Sequence, residues 1–436
     1  MNIEDLHKEL PEKLPIEVCD TIQFFLRSNA DQQMRFIIHF SQQIDIDVLR
    51  KAAILSIYQE PIFSYTYQEN NKKAYWQKQK EIDSSLLVDL VETTNDEKLE
   101  IEKFITSSIS PFEFPLVRIR IIRNNQKDVL CVNVNHTPID GVGLKEFVKI
   151  LSANYNRLLE NVDFICQTNI KGDRSIKQVM DSFTFFQKIR FAKQGFKKPK
   201  RIPSWSFNWE KTDGENRNQF TTIMLSADTF DRIKTFSKLH NSTINDILIS
   251  AFIRSFVNTN KNNNKVSKPL IVPVNLRKYI KRDHNTALCS LTSSMIINVG
   301  QNIGSSFVET LNKVVNETNF KKKAHAEMNM LSPFLILSKL IGYVKLKEQM
   351  MQRKMPPIPL FTNIGVIDPN DINFNNIPVN YAYITGVVSY GNYFTMGCLT
   401  FNNEITFSIG FNGNDLQLQK ANNFLQELKT ELENIE

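Results

Sequence analysis

Glycine, histidine and cysteine are all scarce in this chain of 436 residues, which holds 14, 6 and 5 of them. The cysteines stand at 19, 131, 166, 289 and 398, an odd number with no CxxC pair. That spacing excludes a disulfide framework and a cysteine-based zinc site, so no metal is expected. Cys131 and Cys289 lie inside apolar runs and read as small buried hydrophobes. A reducing, cytoplasmic setting fits. The first residues, Met1-Asn2-Ile3-Glu4-Asp5, lack a basic stretch followed by an apolar one, so no signal peptide is expected. No apolar run is long enough to span a bilayer. The strongest, Leu331 to Leu346, is interrupted by Lys339 and Lys345 and reads as a buried helix or one lying on a surface. Excess charge is also small: 53 Lys and Arg against 46 Asp and Glu give +7. The basic residues are spread along most of the chain, which argues against a nucleic-acid partner and leaves a mild bias toward anionic ones.

What is present describes a globular protein, not a disordered or fibrous one. Hydrophobic content of 42% with 23% charged residues belongs to a globular chain. The length exceeds what one core of ordinary size holds, so two domains are expected. Residues 1–165 read as a first half, 166–219 as a crossover and 220–436 as a second half. In the first half, Thr21–Leu26, Met34–Phe40, Ile62–Gln68, Pro115–Arg123 and the run up to His136 read as strands, and Asp45–Tyr58 and Asn95–Ile105 as helices. In the second, Phe220–Leu225, Pro269–Leu276, Met295–Val299, Leu360–Gly365, Ile384–Ser389, Tyr393–Phe401 and Ile405–Phe411 read as strands, the last three antiparallel. Helices follow Ser226, Thr243 and Ser306, and another closes the chain from about Leu416. Thr243-Ile244-Asn245-Asp246 has the form of a capping box. The fold class is α/β or α+β, a sandwich built twice. Within the crossover, Lys188 to Arg201 carries seven basic residues and no acidic one. It reads as a solvated linker helix or, more sharply, as a docking surface for an acidic carrier protein or a membrane face. Trp205 and Trp209 follow it.

One stretch carries chemistry. The apolar run Val129-Leu130-Cys131-Val132-Asn133-Val134 delivers Asn135 and His136 at its end. Thr137-Pro138-Ile139-Asp140-Gly141-Val142-Gly143 follows, and then a helix with apolar residues at Leu144, Val148, Leu151, Tyr155 and Leu158. A histidine ending a strand is most often a packing residue. A His-x-x-x-Asp-Gly string arises by chance in about one such chain in a hundred, and its place between strand and helix raises its weight. Gly141 and Gly143 permit a close backbone approach or a positive φ.

This constellation resembles the chloramphenicol acetyltransferase-like superfamily, which includes condensation domains, alcohol O-acetyltransferases, polyketide-associated and wax-ester acyltransferases and plant BAHD acyltransferases. Their His-His-x-x-x-Asp-Gly motif stands here as Asn135-His136-Thr137-Pro138-Ile139-Asp140-Gly141. Ser110-Pro111-Phe112-Glu113-Phe114-Pro115-Leu116-Val117-Arg118, Ser242 to Leu248, Val272 to Arg277 and Thr362-Asn363-Ile364-Gly365 resemble further family segments, in the expected order.

The resemblance implies two chloramphenicol-acetyltransferase-like halves with a tunnel between them, and His136 as general base. It implies that Asp140 pairs with Arg277 and shapes the loop with Gly141, rather than relaying charge. Asn363 is the candidate oxyanion donor, with a turn role as the alternative, and Asn135 a candidate substrate contact. The expected reaction moves an acyl group from acyl-coenzyme A or a phosphopantetheinyl thioester to an alcohol or amine, with no bound cofactor and no acyl-enzyme. The acceptor would be a small molecule or lipid and an acidic carrier protein a candidate partner, with peripheral membrane contact in view. Monomer is the default. A condensation-type enzyme forming amide bonds and a non-catalytic acyl- or peptidyl-binding relative are the alternatives.

Overall fold

The computed structural model describes residues 3–94, 96–197, 205–209, 214–260, 266–281, 284–352 and 356–435. Two large sheets organise it, each covered by its own helices. The first has five strands in the order Val379–Thr385, Gln33–Phe40, Lys127–Asn135, Val117–Asn124, Val88–Glu92. Lys127–Asn135 lies between antiparallel neighbours, with Gln33 opposite Asn135 and Val117 opposite Val134. Such a central strand is buried on both faces, and its near-continuous apolar run follows from that. The helices Ile46–Gln59 and Gly141–Glu160 pack on it, burying Leu49, Ala52, Leu144, Phe147, Val148 and Leu151.

The second sheet has seven strands. Thr292–Asn298, Pro269–Asn275, Leu360–Ile367, Thr395–Phe401 and Glu404–Gly413 lie in that order, and the last also pairs with Arg217–Leu225 and Val388–Ser389. Its helices start where the sequence marks caps. Ser226 accepts from the Thr229 amide, Thr243 from that of Asp246 and Ser306 from that of Glu309, each satisfying a donor with no partner inside the helix.

The two halves exchange chain. Val379–Thr385 lies in the second half of the sequence yet forms the edge of the first sheet, along Gln33–Phe40. Ile367, Ile372, Phe374, Ala382 and Ile384 join the first core. Arg35, wholly buried and paired with Asp31, also donates to the Gly386 carbonyl at 3.1 Å and ties the returning segment down. The expected single strand Ile384–Ser389 is therefore two. One serves the first sheet, and Val388–Ser389 runs parallel, not antiparallel, to Glu404–Gly413.

Other elements differ from expectation for identifiable reasons. Thr21–Leu26 is not a strand but part of the helix Val18–Phe25, whose buried Cys19, Asp20, Phe24 and Phe25 follow helical spacing. The Glu17 amide donates to Asp20 Oδ2 at 3.3 Å at its start, a cap that outweighs the short run of β-formers. Ile62 and Phe63 belong to a 3₁₀ turn opened by Pro61, with the strand beginning at Tyr65. The run Leu331–Leu346 is two helices, Ala326–Leu340 and Gly342–Gln352, broken where Gly342 takes φ +73. Among the described residues no helix is long and apolar enough to cross a membrane. Of the basic stretch, Lys188 to Gly195 lies in the helix Phe185–Gly195, while residues 198–201 fall outside the described residues. Trp205 and Phe207 are buried in the second core, so Trp205 is a packing residue.

Candidate active site

The site is built where the central strand of the first sheet ends against the second half. His136 leaves the strand with its amide donating to the Gln32 carbonyl at 2.8 Å, one step beyond the ladder. The chain then turns back, and the imidazole Nδ1 lies 2.7 Å from the carbonyl oxygen of Ile139. A carbonyl only accepts, so Nδ1 carries the proton in that contact and the Nε2 lone pair of the neutral ring is free. Nε2 has no hydrogen-bond partner among the described residues, and the ring is half-buried.

Asn135 is 1% exposed, and both ends of its amide are hydrogen-bonded. Its Nδ2 donates to the Ile109 carbonyl at 3.0 Å, and its Oδ1 accepts from the Thr137 amide at 2.9 Å. Both ends of the amide hold the loop in shape. Asn135 is therefore a buried clamp on the loop.

Asp140 is 2% exposed and caps the long helix. Oδ1 accepts from the Gly143 amide at 2.9 Å. Oδ2 accepts from Arg277 Nη1, the Leu291 amide and Thr292 Oγ1, each at 2.8 Å. Neither oxygen contacts the imidazole, whose Nδ1 is taken by Ile139. Burial alone would raise the Asp140 pKa, but Arg277 and the amide and hydroxyl donors outweigh it and hold it below the usual value. Arg277 also donates to the Cys289 carbonyl at 2.7 Å. Burial works against its charge, and Asp140 more than restores it. The expected Asp140–Arg277 pair is present and links the motif loop to the second half.

The glycines act by close approach, since neither takes a positive φ. A Cβ on Gly141 would lie 2.7 Å from Ile364 Cδ1, and one on Gly143 would lie 3.0 Å from Ile139 Cβ. The Ile364 contact brings the bulged part of the strand Leu360–Ile367 onto the start of the motif helix. At that bulge Gly365 takes φ +86 and its amide donates to Asn363 Oδ1 at 2.8 Å. Asn363 is exposed, and its Nδ2 has only a 3.4 Å contact to Asn245 Oδ1. Asn363 thus sits at a bulge of a strand, not in a turn, and its NH2 group is a donor at the joint.

Two residues in contact with the site are not singled out in the sequence. Arg174, in the crossover, donates from Nη2 to the Pro138 carbonyl at 2.9 Å and to Asp20 Oδ1 at 3.2 Å, and from Nε to the Leu288 carbonyl at 3.1 Å. It pins the motif loop from behind, and Asp20 is itself held by Trp76 Nε1 at 2.9 Å. No local pattern marks these residues, because the contacts join segments far apart in sequence. Lys145, on the first turns of the motif helix, donates to the Val366 carbonyl at 3.2 Å, and burial lowers its pKa. Its signal was available, a lysine four residues after Gly141.

The nearby cysteine offers no competing nucleophile. Cys289 is 1% exposed, and burial pushes its thiol up to about 12, far from the thiolate such chemistry needs.

The fold is shared with solved structures at low identity. The first condensation domain of the CDA synthetase superposes with a TM-score of 0.69 at 12% identity, over 97% of this chain and 96% of that one. Trichothecene 15-O-acetyltransferase from Fusarium sporotrichioides gives 0.68 at 12%, over 97% and 95%. The epimerization domain from the third module of tyrocidine synthetase B gives 0.67 at 13%, over 98% of both. No curated protein sequence matches the chain. The condensation-domain family model matches residues 22–264, which take in the strand, the loop and the long helix of the site. That match covers more than half of the sequence, and the chain belongs to the condensation-domain family.

Proposed function

We propose that the protein is an acyltransferase that moves an acyl group from a thioester donor to an alcohol or amine, with His136 as general base. One observation carries this reading: Nδ1 of His136 is held on the Ile139 carbonyl at 2.7 Å, which leaves Nε2 as a directed, unoccupied proton acceptor. An attacking hydroxyl or amine gives its proton to Nε2 as it adds to the thioester carbonyl. The imidazolium then returns the proton to the leaving thiolate as the carbon–sulfur bond breaks. No acyl-enzyme is required, because holding donor and acceptor together already supplies a large effective concentration. The NH2 of Asn363 is the side-chain donor assigned to the oxyanion. Asp140, Arg277, Asn135 and Arg174 position the loop and touch neither substrate.

The donor is acyl-coenzyme A or an acyl group on the phosphopantetheine of a carrier protein. Amide formation between carrier-bound substrates is the second reading, favoured by the family itself.

The test incubates the purified chain with a panel of acyl-coenzyme A thioesters and acyl-carrier proteins. Each is paired with alcohols and with amines, and thiol release and product mass are followed. His136-dependent ester formation from coenzyme A supports the first reading. Amide formation only from carrier-bound donors selects the second. No His136-dependent transfer from any donor overturns both and leaves a binding-only relative.

A further inference from the structure

The helix Phe185–Gly195 is amphipathic in the wrong sense for a linker. Its one buried residue is Phe191. Facing solvent are Phe185 at 71% exposure, Phe186 at 80%, Ile189 at 48% and, at its C-terminal cap, Phe196 at 49%. At 100° per residue, Phe185, Ile189 and Phe196 fall within about 40° of one another, with Phe191 turned well away from them. Arg190 and Lys193 lie to one side of this stripe, either side of Phe186, and neither they nor Lys197 has a carboxylate partner among the described residues; Lys188 alone reaches Asp181, at 4.0 Å. The sequence has no acidic residue between Asp181 and Glu210.

The helix is nevertheless firmly seated. Phe191 packs edge-on to Phe183 with ring centroids 5.0 Å apart, and against His325 at 5.7 Å. A Cβ on Gly195 would collide with the Asn329 carbonyl oxygen. The same apolar cluster includes Leu276 and Cys289, which adjoin the Arg277 contacts. A rigid helix thus presents aromatic rings to water with cations beside them. Leaving such rings exposed forgoes burial worth about 1.5–3 kcal/mol each.

We propose that this helix docks the protein on an anionic lipid surface, with Phe185, Phe186, Ile189 and Phe196 entering the interface and Arg190, Lys193 and Lys197 meeting the headgroups. Charge complementarity identifies the partner as anionic. The shape selects a bilayer: the rings protrude from a convex helix, and a deformable interface accepts them where a protein would need matching pockets. This docking does not depend on the acyl-transfer chemistry, and the test needs no turnover.

The test sediments the full chain with vesicles of phosphatidylcholine alone and of phosphatidylcholine with phosphatidylglycerol. It compares the Phe185→Ser, Phe186→Ser double variant and the Arg190→Gln, Lys193→Gln double variant. All four sites are exposed, so unchanged melting temperatures certify the fold. Binding to the anionic vesicles is expected, weaker by about a hundredfold in the phenylalanine variant, on the order of tenfold per ring. The charge variant should lose about twenty-five-fold, roughly fivefold per cation, and much of its salt dependence. Failure of the wild type to bind anionic vesicles overturns the proposal, as does undiminished binding by the phenylalanine variant. Binding of an acidic acyl-carrier protein through the same residues, with no vesicle binding, overturns it in favour of a protein partner.

Discussion

Replacing Asp140 with asparagine separates loop-shaping from charge relay. The substitution keeps the side chain's shape and removes its charge. Four donors converge on the two oxygens: Gly143 N on one, and Arg277 Nη1, Leu291 N and Thr292 Oγ1 on the other. An amide has one oxygen, so whichever way the new side chain turned, its NH2 group would face a donor. In the milder orientation the oxygen keeps the three and the helix loses its cap, a cost of about 1 kcal/mol. Arg277 also loses its counter-charge in a site where its side chain is 21% exposed. Breaking one side of a buried pair costs about 3–5 kcal/mol. The total of about 4–6 kcal/mol, spread over the unfolding entropy of 436 residues, lowers the melting temperature by about 4–7 °C. Calorimetry measures this directly. The Asp140→Asn, Arg277→Met double variant should lose less than the sum of the singles, by a coupling on the order of 1–3 kcal/mol. A rate that collapses in Asp140→Asn while the melting temperature stays within about 1 °C would refute the reasoning, because it would give the carboxylate a chemical role that its contacts do not supply.

Three further outcomes follow from the same contacts. Glu17 is pushed up to about 7 by burial first and by the nearby Asp20 carboxylate second. Between its ordinary value near 4.5 and about 7, the folded state keeps a proton that the unfolded state releases. Stability therefore falls as pH rises through that window, and Glu17→Gln should flatten this slope in melting curves from pH 4.5 to 8; an unchanged slope would count against it. Asn135→Ala strands the Ile109 carbonyl and the Thr137 amide, at about 1–3 kcal/mol for each buried unsatisfied group, and chemical denaturation should show it. Arg174→Met removes the cation beside Asp20, which keeps only Trp76 and the Glu17 amide, and frees the Pro138 carbonyl. It should lower both the melting temperature and the turnover, whereas a purely surface role would leave both unchanged.

The fold was legible where local signals agree with tertiary context. Ser226, Thr243 and Ser306 cap helices as their sequences require, and the apolar run before His136 is the central strand. The Asp140–Arg277 pair was legible only through family resemblance, because nothing local links positions 137 residues apart. Hidden from sequence was everything set by exchange between the halves. Val379–Thr385 reads like any other strand, and no pattern tells which sheet it joins. Arg174 looks like one more crossover cation until the fold sets it behind Pro138. Asn135, at a position where the family carries histidine, shows its role only in its two hydrogen bonds. The basic residues of Phe185–Gly195 are plain in sequence, but which side of the helix stays exposed depends on the neighbours that bury Phe191.

The central claim is that Nε2 of His136 takes the acceptor's proton. Its most direct test is pre-steady-state thiol release from a saturating donor and acceptor, wild type against His136→Ala, with melting temperatures of both recorded. The account predicts a fall of about 10²–10⁴-fold in the chemical step with the fold intact, the range for loss of a positioned general base. A His136→Ala protein that is folded and turns over at the wild-type rate would contradict it.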